Sequence, residues 1–134
     1  MAKEFARHFC AELVVIHVLT PVEGPLAPGA SQLDLGMYYE QLKRVSQERL
    51  DRLVEEEFSS DMEVRAELRE GRASDAIVGA AEAYHADLII IATHGTSGWR
   101  RLMFGSVADQ VIRAAPCPLL TIRAPAEKEE EAQE

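Results

Sequence analysis

The sequence predicts an α/β fold, an open and mainly parallel sheet with helices on both faces. Three observations lead there. Apolar segments of strand length alternate with stretches of helical periodicity. The segment Asp87-Leu-Ile-Ile-Ile-Ala92 is apolar on both faces, as central parallel strands are. It runs into a glycine-bearing loop and then a helix, the arrangement found where such sheets place their ligand crevice, at the carboxyl ends of the strands.

The elements follow in order. Lys3 to Ala11 carries Phe5, Ala6, Phe9 and Cys10 at helical spacing, and Leu13 to Leu19 is a continuous β-branched run, so a short helix feeds a buried strand. Thr20 to Gln32 holds Pro21, Gly24, Pro25, Pro28 and Gly29 and reads as a surface loop. From Leu33 to Phe58, apolar Leu35, Tyr38, Tyr39, Leu42, Val45, Leu50, Leu53, Val54 and Phe58 recur mostly every three or four residues, which makes one long amphipathic helix with both tyrosines on its core face. Met62, Val64, Ala66 and Leu68 alternate with Glu63, Arg65, Glu67 and Arg69, a strand with one wet face near a sheet edge.

Gly71 ends that strand and Ser74 is placed to cap the next helix, whose apolar face is Ala76, Ile77, Ala80, Ala81 and Tyr84. After the strand at 87–92 and its loop, Ser106 opens a helix through Ala115, with Asp109 as the acidic half of a capping box. Pro116-Cys-Pro118 stops it, and Leu119-Leu-Thr-Ile122 is a last short strand. Residues 1–125 read as a single domain, and 126–134 as an acidic disordered tail, with five Glu against one Lys from Glu127 onward.

Composition removes several function classes. The 134 residues are 47% hydrophobic and 28% charged, which suits one globular domain. Asp and Glu number 23 against 14 Lys and Arg, a net charge of -9, so non-specific binding to a nucleic-acid backbone lacks its driving force. No apolar stretch approaches the roughly 20 residues of a membrane span. Lys3, Glu4, Arg7 and His8 leave no apolar signal core near the start, so the expected address is cytoplasmic. Cys10 and Cys117 lack metal-ligand spacing and are expected as buried apolar side chains, with no metal site.

The segment that carries chemistry is Ala92-Thr-His-Gly-Thr-Ser-Gly-Trp-Arg-Arg-Leu-Met-Phe-Gly-Ser-Val107. Its loop lets backbone N–H groups approach an anion, and the following helix adds unpaired N–H groups with about half a unit of positive charge. Gly105, Ser106 and Val107 are the candidate phosphate contacts. Pattern alone leaves a second reading open, because Ser106 and Asp109 serve as a helix cap in any protein. His94 stands at the strand end where a ligand passes, but no carboxylate or nucleophile lies near it in sequence, so no catalytic residue is assigned. Arg100 and Arg101 either steer an anion or are simply solvated, and His17 reads as a satisfied core histidine.

The loop is neither a Walker A sequence nor a dinucleotide fingerprint. It resembles the universal stress protein family, whose nucleotide-binding members carry G-x-x-G, nine residues, then G-[S/T]. Ala92-Thr-His-Gly95, the nine residues Thr96 to Phe104, and Gly105-Ser106 reproduce that register with alanine in the first glycine position. The likeness extends to Leu13-Val-Val-Ile-His-Val18, to Val64 through Ala83 and to Pro116-Cys-Pro118, from about Ala2 to Arg123. It implies a Rossmann-like fold of the adenine nucleotide alpha hydrolase type with strand order 3-2-1-4-5. It also implies ATP or another adenine nucleotide, with or without Mg, and a homodimer made through the last strand. Carried over by position, His94, Gly95, Gly105, Ser106 and Val107 lie at the ribose and phosphates, and Val18, Ile91 and Ala92 near the adenine.

Two departures stand out. Ala92 adds a methyl group where the motif has glycine, which is tolerated at negative φ and crowds a ligand otherwise. The family's apolar first strand, with its Asp-bearing turn, is missing, which is expected to leave the second and fourth strands without their shared partner. Either those strands close on each other, or another chain covers them, or the sequence is a truncated version of a longer one. The last is favoured because Met1-Ala-Lys-Glu enters the helix without a capping signal. The expected function is a nucleotide-binding stress-response or regulatory switch. Hydrolysis is expected to be slow or absent, since no Walker-type lysine is present. The alternative is a nucleotide-free dimeric interaction module with a disabled site.

Overall fold

A computed structural model describes residues 1–21, 32–58, 62–93 and 106–123. The elements run α1 (Ala2–Phe9), β1 (Leu13–Leu19), α2 (Gln32–Glu57), β2 (Val64–Glu70), α3 (Ala73–Ala83), β3 (Ile89–Thr93), α4 (Ser106–Ala114) and β4 (Leu119–Arg123). Strands and helices alternate as the sequence predicts, and the class is α/β with parallel strands. The proline- and glycine-rich loop, the tail, and the segment carrying His94, Gly95, Trp99, Arg100, Arg101 and Gly105 lie outside the described residues.

The described strands form two parallel pairs, β1 with β2 and β3 with β4. Leu13 pairs with Val64 through to Leu19 with Glu70, and Ile89 with Leu119 through to Thr93 with Arg123. No ladder joins the two pairs among the described residues. The chain divides into two compact units, Met1–Ala76 and Ile77–Glu134.

In the first unit α2 packs on β2 and β1, and Ala6, Leu19 and Leu50 are buried. Lys3 Nζ donates to the Glu57 carbonyl at 2.7 Å, placing a cation at the C-terminal end of α2, where the helix dipole favours it. Cys10 closes α1 in the left-handed conformation (φ 50°), and the following Ala11 N–H donates to the Ala6 carbonyl at 2.9 Å. Gly71, at φ +118°, ends β2 while its N–H donates to the Leu19 carbonyl, so the residue that turns the chain also closes the ladder.

In the second unit Ala81, Ile89 and Val111 form the buried cluster, with Ile77, Val78, Ala86, Ala115, Cys117 and Leu119 packed against it. Val111 is fully buried and fixes α4 to this core.

Several expectations need correction. Cys10 is exposed, because a helix C-cap projects its side chain into solvent, whereas Cys117 is half-buried. His17 is exposed on β1, and the rest of that strand is mostly half-buried, with β2 as its strand partner among the described residues. Tyr38 is 63% exposed; only Tyr39 of the pair turns inward. Ser74 lies inside the first turn of α3 and is buried, and the first carbonyl bonded is that of Arg72, which accepts from the Ala76 N–H.

Candidate functional site

The register of β3 explains how its end is presented. Ile89 N–H donates to the Pro118 carbonyl at 3.0 Å, so Ile89, Ile91 and Thr93 direct their backbone groups to β4, and Ile90 and Ala92 direct theirs to the opposite edge. Ile91 is half-buried and Ala92 exposed, one residue from the strand's end at Thr93. The next described residue is Ser106, which begins α4; Ser106 and Val107 are both exposed, while Ala108 and Val111 hold the helix to the core. The first-turn amides of α4 therefore belong to a helix that is packed one turn further on and open at its start, the condition for receiving an anion.

Asp109, the acidic residue of that first turn, pairs with Arg113, whose Nε lies 3.1 Å from Oδ2. The contact is a solvent-exposed i,i+4 pair, a weak stabiliser that offsets an acid near a helix end which favours anions.

Of the residues expected at the site, Ile91, Ala92, Ser106 and Val107 belong to the second unit, and Val18, half-buried on β1, belongs to the first. His94, Gly95 and Gly105 lie outside the described residues. Among the described residues no group of three or more His, Cys, Asp or Glu is placed to hold a metal, and no helix is long and apolar enough to cross a membrane.

One polar cluster escaped the sequence reading. At the carboxyl end of β2, Lys43 Nζ lies 2.8 Å from Glu70 Oε1 and 3.3 Å from Glu40 Oε1, and 5.7 Å from the centre of the Tyr39 ring. The hydrogen bond from Lys43 holds the Glu70 carboxyl below its ordinary range, and the same contact raises Lys43. Burial, and then the charge of Glu70, push the Tyr39 phenol up. Only the Glu40–Lys43 part is local in sequence; Glu70 arrives through the packing of α2 on β2.

The comparisons with known proteins agree with this geometry. The model of the universal stress protein family matches residues 1–123. A universal stress protein of Methanocaldococcus jannaschii is 35% identical over 126 residues, covering 92% of this chain and 72% of that protein. Among solved structures, the universal stress protein from Archaeoglobus fulgidus superposes with a TM-score of 0.57 at 25% identity, over 90% of this chain and 83% of that one. A family protein from Arabidopsis thaliana, solved with AMP bound, shares the fold at a TM-score of 0.61 and 19% identity, over 98% and 81% of the two chains. Parallel strand pairs, the spaced motif from Ala92 to Ser106 in the sequence, and a family match over residues 1–123 converge: the chain belongs to the universal stress protein family.

Proposed function

We propose that this chain binds an adenine nucleotide between the end of β3 and the start of α4, and that the bound nucleotide sets the state of a stress-response or regulatory switch. The observation that carries the reading is positional. The first half of the motif, Ala92 to Gly95, starts one residue before the end of β3 at Thr93, and the second half, Gly105-Ser106, ends on the residue that opens α4. The residues present suit the ligand. Exposed Ser106 and Val107 offer first-turn amides and a hydroxyl to phosphate oxygens, and Ile91 and Ala92 offer an apolar surface to a base. His94, Gly95 and Gly105 complete the phosphate contacts, and Val18 is assigned to the adenine. That a family member was solved with AMP bound supports the choice of ligand.

The finer reading is ATP, with Mg carried on its phosphates, in a cytoplasmic homodimer paired through β4, the whole of residues 1–125 acting as one domain. When bound, the nucleotide supplies a polyanion whose γ-phosphate distinguishes two states. The second reading is a nucleotide-free interaction module, in which the methyl group of Ala92 stands where the family's motif has glycine; Ala92 lies in β3 without a positive φ, the condition under which that methyl group is tolerated.

Mass spectrometry of small molecules released on denaturation decides between them, with the Gly105→Arg, Ser106→Glu double variant as control. ATP or ADP from the wild type and none from the variant is the expected result. No nucleotide from either, together with a null ATP titration, overturns nucleotide binding. Steady phosphate release that disappears in His94→Ala overturns the assignment of no catalytic residue.

A further inference from the structure

The chain leaves β4 at the end of the sheet where the phosphate contacts are proposed. β3 and β4 are parallel and in register from Ile89 with Leu119 to Thr93 with Arg123, so the two strands end side by side. Between them α4 carries the chain back. Its Val111 packs with Ile89, and beyond its last turn the Pro118 carbonyl accepts from the Ile89 N–H at 3.0 Å, at the amino ends of the strands. The start of α4, with exposed Ser106 and Val107, therefore lies toward the carboxyl ends, on the side of Arg123.

Residues 124–134 follow Arg123 directly, and from Glu127 onward they hold five glutamates and one lysine. A polyanion is thus attached at the mouth of a site read as taking phosphates. Its length is sufficient. The nine residues of α4 rise about 13 Å and the five of β4 about 16 Å, so the first turn of α4 is nearly level with Arg123. At about 3.3 Å per residue, Glu127 reaches about 13 Å from Arg123 and Glu131 about 26 Å. The chemistry matches as well, since first-turn amides that donate to phosphate oxygens donate equally to carboxylate oxygens. Arg100 and Arg101 in the motif, and Arg123 itself, favour an anion there; Asp109 opposes it and is offset by its pair with Arg113.

We propose that the acidic segment 127–134 contacts the first turn of α4 when no nucleotide is bound and is displaced by the nucleotide's phosphates. The segment is a competitor built into the chain. Held by so short a connection, it acts at an effective concentration on the order of mM, enough to weaken a nucleotide several-fold without excluding it. The proposal rests on the nucleotide reading above and adds the regulation of that site: binding of the ligand and release of the segment are one event.

The test compares the full chain with a variant in which Glu127, Glu129, Glu130, Glu131 and Glu134 and also Lys128 are all replaced by Gln, so that the segment keeps its length and loses its charge. ATP is titrated calorimetrically into both, and the backbone amides of Ser106 and Val107 are followed by NMR, with the Val111 amide reporting an unchanged core. The variant is expected to bind ATP ~3- to 10-fold more tightly, and the difference is expected to shrink in about 0.5 M salt. The Ser106 and Val107 amides should differ between the two ligand-free chains and coincide once both are saturated with ATP. Equal or weaker binding by the variant overturns the proposal and leaves the nucleotide reading standing. Tighter binding with coincident ligand-free amides also overturns it, because the segment then repels ATP from a distance without occupying its place. If neither chain binds ATP, the nucleotide reading falls and the proposal falls with it.

Discussion

Gly71 and Gly36 have equally open surroundings, with nothing within 4 Å of where a Cβ would stand, yet they answer to different physics. Gly71 holds φ +118°, a region closed to side-chain-bearing residues, so Gly71→Ala is expected to cost about 1–2 kcal/mol. Gly36 lies within α2, and Gly36→Ala is expected to add about 0.5–1 kcal/mol by helix propensity. Urea unfolding of the two variants should shift the midpoint in opposite directions. Glu70 supplies a pH test. The hydrogen bond from Lys43 holds its folded-state pKa below the ordinary value of 4.5, so the stability it contributes is complete above that value and is lost as pH falls through the lower folded one. The midpoints of wild type and Glu70→Gln should therefore stand furthest apart above pH 4.5 and converge as the solution is acidified. Lys43 and Tyr39, both raised in the fold, act at the other end of the scale, where their contribution disappears as pH climbs past 10.5 and 10.0 respectively.

At the level of elements, α4 depends on one residue more than on its ion pair. Val111 is fully buried, and Val111→Ala removes two methyl groups from the core and leaves a cavity, for an expected loss of about 2–3 kcal/mol. Arg113→Ala breaks only the exposed pair with Asp109 and should cost under about 0.5 kcal/mol. Thermal unfolding of both checks the ranking. The same elements show what a sequence discloses. Period and punctuation located each helix and strand among the described residues, because Gly71 and the Pro116-Cys-Pro118 stop act within a few residues of themselves. Burial was less legible. Leu13 to Leu19 has the composition of a strand covered on all sides, but composition records what a strand is suited to and not which neighbours are present. Ser74 was misplaced for a related reason: a good capping residue is recognised by type, and the turn that begins α3 is set by backbone bonding from Arg72. Of the candidate site, strand end and helix start were legible through spacing, whereas the Tyr39–Lys43–Glu70 cluster was not, because it joins α2 to β2 across the fold.

For the molecule as a whole, charge and strand composition oppose each other. A net charge of -9 keeps chains apart at neutral pH, while the apolar edges of β1 and β3 favour pairing. Acidification neutralises the 23 carboxylate side chains progressively, so light scattering at fixed concentration should rise as pH is lowered from 7 toward charge balance. Screening with about 0.5 M salt at pH 7 should produce part of the same rise, since it shortens the reach of the repulsion to a few ångströms.

The left-handed cap of α1 bears on how any such association is measured. It sets the Cys10 thiol in open solvent, while the Cys117 thiol is half-buried beside the second core. In air-exposed solution, two chains can therefore be joined by a covalent bond between their Cys10 sulfurs without any complementary surface between them. A doubled mass carries information about strand pairing only in the presence of reductant, or in a chain where Cys10→Ser has removed the thiol.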